Sequence, residues 1–354
     1  MYPQRRRLLT RFLDEHELDA LVLRRPSSVA WAAAGARTHI DVSGETGVAW
    51  LVVTRDGTRV VTSRIEADRL AAEELTGPGY AWTILDWVAD LAGSVPTGDR
   101  VGVDGPMPGR RDVSVELEVA RRSLLPEEVE LYRGLGRDAA EALTAAVSAC
   151  GPADSEWQWA ARAAAEVTAR GADPLVLLVA GADRVGRHRH PLPTAAPAGN
   201  LVMVVVCARR HGLFANLTRF VADRPLTAVK DDVQQRLLRV EAAFLNATRP
   251  GQLVRDVLAA GTAAYGEYGF APDEWRNHHQ GGPTGYLSRD HLATPESTEA
   301  VEDAQAFAWN PSVPGLKVED TVLATAGGPE VLTVDPAWPA REVDGRQRPL
   351  VLVR

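Results

Sequence analysis

Gly212-Leu-Phe-Ala-Asn-Leu-Thr-Arg219 places polar side chains inside a run that otherwise reads as a strand over residues 211 to 221. The apolar run from Asn200 to Ala208, just upstream, reads as its neighbour, and a third strand is expected near 174 to 180. Helical spacing over 127 to 149 and 155 to 170 precedes these strands. The same scheme then recurs, with helices over about 228 to 247 and 252 to 268 followed by strands near 305 to 309 and 317 to 325. Two helices followed by β-structure, twice over, predict an approximate internal duplication inside one domain spanning 123–354. Its first helix opens at Leu124-Leu-Pro-Glu-Glu128, where proline at the first position and acids in the first turn suit a helix N-terminus.

Working outward, residues 1–122 form a separate mixed α/β domain. Leu8, Leu9, Phe12, Leu13 and Leu18 lie at helical spacing, and Asp19 to Leu23 reads as a short buried strand. Val48 to Val53 and Arg59 to Val61 read as a hairpin, with Asp56-Gly57 supplying the positive φ of a tight turn. Another strand is expected over Arg100 to Gly105. A chain of 354 residues has room for two such domains. The expected fold class is therefore α/β, of the α+β kind.

Composition removes several classes of function. Hydrophobic residues are 45% and charged residues 24% of the chain, which excludes a disordered protein. The net charge of -8 argues against nucleic-acid or anionic-membrane partners. Only Lys230 and Lys317 are lysine, so the arginine excess reads as codon bias and not as phosphate binding. The apolar runs are under ten residues, whereas a membrane span needs about 20. Arg11, Asp14 and Glu15 interrupt the apolar core a signal peptide would need. Cys150 and Cys207 form neither a zinc knuckle nor a disulfide framework, and a reduced cytoplasm is expected.

Four segments concentrate polar residues beside strands: 181 to 194, 211 to 219, 277 to 286, and 310 to 312 with 317 to 320. Five of the eight histidines fall in three of these, which turns attention from single solvated imidazoles to a cluster. Gly281-Gly282 with Gly285 lacks the strand before and the capped helix after that a phosphate cradle requires, so a tight turn is expected there. Gly212 to Arg219 resembles the G-Y-x-S-D-x-T-R segment of the pita-bread family of creatinase, prolidase and aminopeptidase P. His279-Gln-Gly-Gly282 resembles that family's H-G-x-G, Ala308-Trp-Asn-Pro311 its T-I-E-P, and Lys317-Val-Glu-Asp-Thr-Val-Leu-Ala-Thr325 its R-x-E-D-x-x-L-V-T. The order matches as well as the motifs, and residues 124 to 133 look like the helix that opens the catalytic domain. The resemblance implies a creatinase-type N-terminal domain and then a curved antiparallel sheet backed by helices.

Metallopeptidases of that family hold two divalent ions with two Asp, one His and two Glu. Traced onto this chain, those ligands fall at Val205, Asn216, His279, Asn310 and Glu319. One carboxylate of four is kept, and Val205 has no side-chain lone pair, so no metal and no other cofactor is expected, although His279 and Glu319 leave open a single weakly bound zinc ion. The cleft then holds His279, Asn216 and Asn310 as neutral hydrogen-bonding groups and Glu319 as its anion, with Lys317 close in sequence.

Creatinase provides a metal-free precedent, since it breaks an amidine C–N bond with a histidine from a loop that His190-Pro-Leu-Pro-Thr194 resembles. Anchoring on that stretch selects His190 as proton shuttle, whereas anchoring on Gly181-Ala-Asp183 selects His188. Histidine titrates near neutral pH, which suits a general base. The catalytic residues expected are His190, His279 and Glu319, with His188, Asn216, His278, Tyr286, Asn310 and Lys317 binding substrate. Tyr286 stands where the family has a second histidine, and Thr218 where creatinase has a substrate carboxylate, so creatine is not implied. Arg289 and Asp290 either bracket a substrate or form a solvated salt bridge. The resemblance also implies a homodimer, with Arg37 and His39 reaching the partner's cleft. Three functions are open: a metal-independent creatinase-like hydrolase or lyase acting on a small C–N-containing substrate, a degenerate homologue that binds a small molecule or short peptide, and an Xaa-Pro metallo-aminopeptidase.

Overall fold

The computed structural model describes residues 1–354, the side chain of Ala182 excepted. Two compact units, Met1–Leu125 and Pro126–Arg354, divide the chain. The first unit contains helices α1 (Pro3–Glu15), α2 (Pro26–Ala32), α3 (Arg64–Arg69) and α4 (Ser114–Ala120). Its strands are β1 (Ala20–Leu23), β2 (Ala49–Val53), β3 (Thr58–Ser63), β4 (Tyr80–Leu85), β5 (Gly98–Val103) and β6 (Arg110–Asp112). They form one mixed sheet in the order β4-β3-β2-β1-β5-β6. α1 ends before Leu18 because Glu17 takes φ 56° and the Leu18 amide turns back to the Leu13 carbonyl. The β2–β3 hairpin forms as expected, but neither Asp56 nor Gly57 adopts positive φ. Four residues, 54 to 57, separate the strands, and loops of that length are built around ordinary type I turns.

The second unit opens with α5 (Pro126–Ser148) and α6 (Glu156–Ala169), then β7 (Asp173–Gly181), the short α7 (Ala182–Val185), β8 (Leu201–Arg210) and β9 (Leu213–Ala222). A reciprocal capping box of Ser155 and Gln158 starts α6. Then come α8 (Ala228–Ala247) and α9 (Val254–Glu267), followed by β10 (Gly281–Thr284), β11 (Ala306–Trp309), β12 (Ser312–Val313), β13 (Leu316–Lys317) and β14 (Asp320–Leu323). Four short strands close the chain: β15 (Glu330–Val331), β16 (Ala340–Val343), β17 (Arg346–Pro349) and β18 (Leu352–Val353). The main sheets run β18-β9-β8-β7 and β10-β11-β14-β15. Each thus follows a helix pair in sequence, as the repeat predicts. The expected strand over 317 to 325 is broken at Val318-Glu319, and Glu319 instead bridges across to Thr218 on β9. That bridge joins the two sheets, and the site forms around it.

Candidate active site

β8 and β9 are joined by only His211 and Gly212, both at positive φ, the geometry a two-residue hairpin turn demands. The turn fixes the register, with Val205 opposite Thr218 and Cys207 opposite Asn216. Residues opposite or two apart share a face of the sheet, so these four point the same way. Thr218 donates its hydroxyl to Glu319 Oε2 at 2.8 Å, which shows that this face meets Glu319.

Glu319 is 2% exposed and fully engaged. Lys317 Nζ lies 2.7 Å from Oε2, and Arg289 Nη2 donates to Oε1 at 2.8 Å. Burial alone would raise the carboxyl pKa, but the two cations and the hydroxyl bonds outweigh it and hold Glu319 well below the ordinary carboxylate range. Glu319 is therefore an anion that neutralises its neighbours and cannot act as a base near neutral pH. The partnership with Arg289, 30 residues away, was not expected from sequence, which allowed that arginine a substrate contact or a solvated pair. Cys207 stands in the same neighbourhood, and burial beside Glu319 pushes its thiol up to about 12, which makes it inert as a nucleophile.

Three imidazoles meet beside this ion cluster. His190 Nε2 and His278 Nε2 are 3.0 Å apart, and the rings of His278 and His279 have centroids 4.7 Å apart. His278 Nδ1 in turn lies 2.9 Å from Ser312 Oγ, which also accepts from Arg189 Nη1 at 3.2 Å. Burial, reinforced by the charge of Lys317 and, for His190 and His279, that of Arg289, lowers all three rings: His278 to about 2, His279 to about 4, and His190 below its usual value. All three are neutral at pH 7. His188 is an exposed loop residue, and it is His190 that reaches the other two histidines. Asn216 and Asn310 are both buried, and each leaves its Oδ1 without a hydrogen-bond partner, as do His279 Nδ1 and Arg289 Nε. Gly281 enables the close approach of β10 to this region. A Cβ there would lie 2.0 Å from the Ala308 carbonyl oxygen and 3.1 Å from Asn310 Oδ1, and its φ is 95°.

Other expected substrate contacts have different partners. Tyr286 is buried and donates its hydroxyl to Glu128 Oε1 on α5 at 2.8 Å, tying the segment after β10 to α5, while Gly281 and Gly282, where a tight turn was expected, lie within β10 and pair with β11. In the first unit Arg37 binds both oxygens of Glu74, through its amide and its Nε, each at 2.8 Å. His39, two residues on, is half-buried in that unit.

Residues 130–326 match metallopeptidase family M24. The chain belongs to that family. Among solved structures, the prolidase from Pyrococcus horikoshii OT3 is similar with a TM-score of 0.78 at 16% identity, covering 94% of this chain and 98% of its own. The Xaa-Pro dipeptidase from Bacillus anthracis is similar with a TM-score of 0.77 at 15% identity over 99% of both chains. Dipeptidase PepE from Mycobacterium ulcerans has a TM-score of 0.75 at 17% identity, covering 99% of this chain and 97% of its own. No curated protein matches the sequence. This M24 member has the pita-bread architecture of creatinase, prolidase and aminopeptidase P, a peptidase-like hydrolase fold, and among the described residues no helix is long and apolar enough to cross a membrane.

The family's dinuclear centre does not fit the residues present. Val205 is 2% exposed and belongs to the apolar core. Asn216 offers a neutral amide whose Nδ2 is already turned to Thr284 Oγ1 at 3.2 Å. Both oxygens of Glu319 are claimed by cations, so a pair of divalent ions would find no bridging carboxylate.

Proposed function

We propose that this M24 member is a hydrolase that adds water across the C–N bond of a small anionic substrate, with His190 as proton shuttle and without the family's dinuclear centre. The carrying observation is the contact between His190 and His278. A hydrogen bond between two ring nitrogens needs one N–H and one lone pair, so two neutral imidazoles together hold a mobile proton. Ser312 holds the far nitrogen of His278, and His278 orients His190. In the reaction His190 takes a proton from water as the oxygen bonds to carbon, then delivers it to the departing nitrogen, so that hydroxyl ends on carbon and hydrogen on nitrogen. Lys317 and Arg289 face one carboxylate between them, and the excess positive charge supports a carboxylate-bearing substrate and the developing oxyanion. The unpartnered oxygens of Asn216 and Asn310 suit N–H groups on that substrate. His279 serves as a second polar contact.

The test is a panel of N-acyl, N-carbamoyl and N-amidino amino acids and Xaa-Pro dipeptides, incubated with EDTA-treated protein and read by mass spectrometry. Turnover is expected to persist in EDTA and to fall roughly 10²- to 10⁴-fold in His190→Ala. Turnover only after manganese is added would contradict the reading. Loss of the family's carboxylates favours a second reading, a homologue that binds such ligands without turnover, and saturable binding with unchanged ligand would establish it. Assembly as a cytoplasmic homodimer, with Arg37 and His39 at the partner's cleft, is part of the proposal and is checked by light scattering and by activity of the Arg37→Ala/His39→Ala double variant.

A further inference from the structure

We propose that His190, His278 and His279 form a binding site for one transition-metal ion of the zinc class, a site that shares His279 with the family's ligand set but uses none of its carboxylate positions. One ring nitrogen from each lies within 4.8 Å of the other two. Donors around a tetrahedral zinc ion, at Zn–N distances of about 2.0–2.1 Å, stand roughly 3.4 Å apart. The Nε2 atoms of His190 and His278, at 3.0 Å, are already close to that separation. The third donor, on His279, lies within 4.8 Å of the other two, so side-chain rotation must close a gap of up to about 1.4 Å to complete the set.

Two further observations support a ligand here. His279 Nδ1 is buried and has no partner among the described residues, so one imidazole presents an unused donor atom. His278 carries the outer hydrogen bond that metal-bound imidazoles use. With Ser312 Oγ accepting from His278 Nδ1–H as it does from Arg189, the Nε2 lone pair is left facing His190. Three imidazoles without a carboxylate select zinc, copper or nickel over magnesium or manganese. Lys317 and Arg289, only partly offset by Glu319, repel a dication, so affinity is expected to be lower than at a structural zinc site. An ion at this position takes the lone pair that His190 needs. On the reading of His190 as proton shuttle, occupancy therefore suppresses turnover.

The experiment is calorimetric titration of the full chain with zinc chloride, with cobalt(II) absorption as a second readout. One ion per chain is expected, with at least a tenfold loss of affinity in His190→Ala and in His278→Ala. His190 is exposed, so its variant should keep the native melting temperature, measured alongside. Absence of binding would overturn the site. So would an ion whose affinity survives His190→Ala and disappears in Glu319→Gln, because that places it at the carboxylate position. Stoichiometric binding that leaves turnover of an identified substrate unchanged would uphold the metal site and remove His190 from the reaction.

Discussion

Glu319 and Asp320 are consecutive, equally buried and both paired with cations, yet they face different environments and do different work. Asp320 receives Arg219 and the Thr333 hydroxyl on Oδ1 and Arg348 on Oδ2, at 2.9, 2.6 and 2.6 Å. Arg348 continues to both oxygens of Glu241, and no fully buried polar atom of these four charged side chains is left unpartnered. Two anions and two cations cancel. On the Glu319 side two cations face one carboxylate, and four polar atoms of Asn216, Asn310, His279 and Arg289 lack partners. A buried charge is thus no mark of a site by itself. A closed, balanced network is a strut, whereas an open one with surplus charge is prepared for a ligand.

Breaking the strut should produce the largest effect. Arg348→Met strands the buried Glu241 carboxylate and leaves Asp320 with Arg219 as its one cation, and it is expected to cost about 3–5 kcal/mol in urea unfolding, with turnover per folded molecule retained. A loss below about 1 kcal/mol would erase the contrast. Arg289→Met removes the surplus cation while Lys317 still serves Glu319. The expected cost is smaller, about 1.5–3 kcal/mol for one charged hydrogen bond, and binding of anionic ligands should weaken more than stability does. Equal cost in both variants would mean that the two sides are one structural network.

The third contrast concerns pH. His278 and His279 have folded pKa values below the unfolded value near 6.5, so the unfolded chain binds more protons as pH falls below it. Their contribution to stability is whole above pH 6.5 and is lost progressively on acidification, until each ring is protonated in the folded state as well. For His278 the slope approaches about 1.4 kcal/mol per pH unit. His278→Gln should flatten the wild-type decline in urea midpoint between pH 6.5 and 4.5. Parallel declines in the two proteins would show that His278 is charged in the folded state. Turnover should correspondingly fall off at lower pH than a free imidazole would dictate, since burial lowers the His190 pKa.

The order of elements was legible because apolar periodicity and cap residues act locally: α5 and its proline, the capped α6, the β8–β9 pair. Of the candidate site, motif positions named in advance His190 and His279, which meet in the structure, the Lys317–Glu319 ion pair, and the buried Asn216 and Asn310. Contacts set by chain closure were not legible. Arg289 reaches Glu319 across 30 residues, Tyr286 reaches Glu128 across 158, and His278 meets Ser312 only once β12 lies beside the segment that leads into β10. The break in the strand at Glu319 was equally hidden, since it depends on the bridge to Thr218 and not on local propensity.

Equilibrium dialysis of the EDTA-treated protein against manganese, followed by elemental analysis, tests the central claim most directly, because manganese seeks carboxylates and not imidazoles. The account predicts no bound manganese in the native chain. Two manganese ions per chain would contradict it.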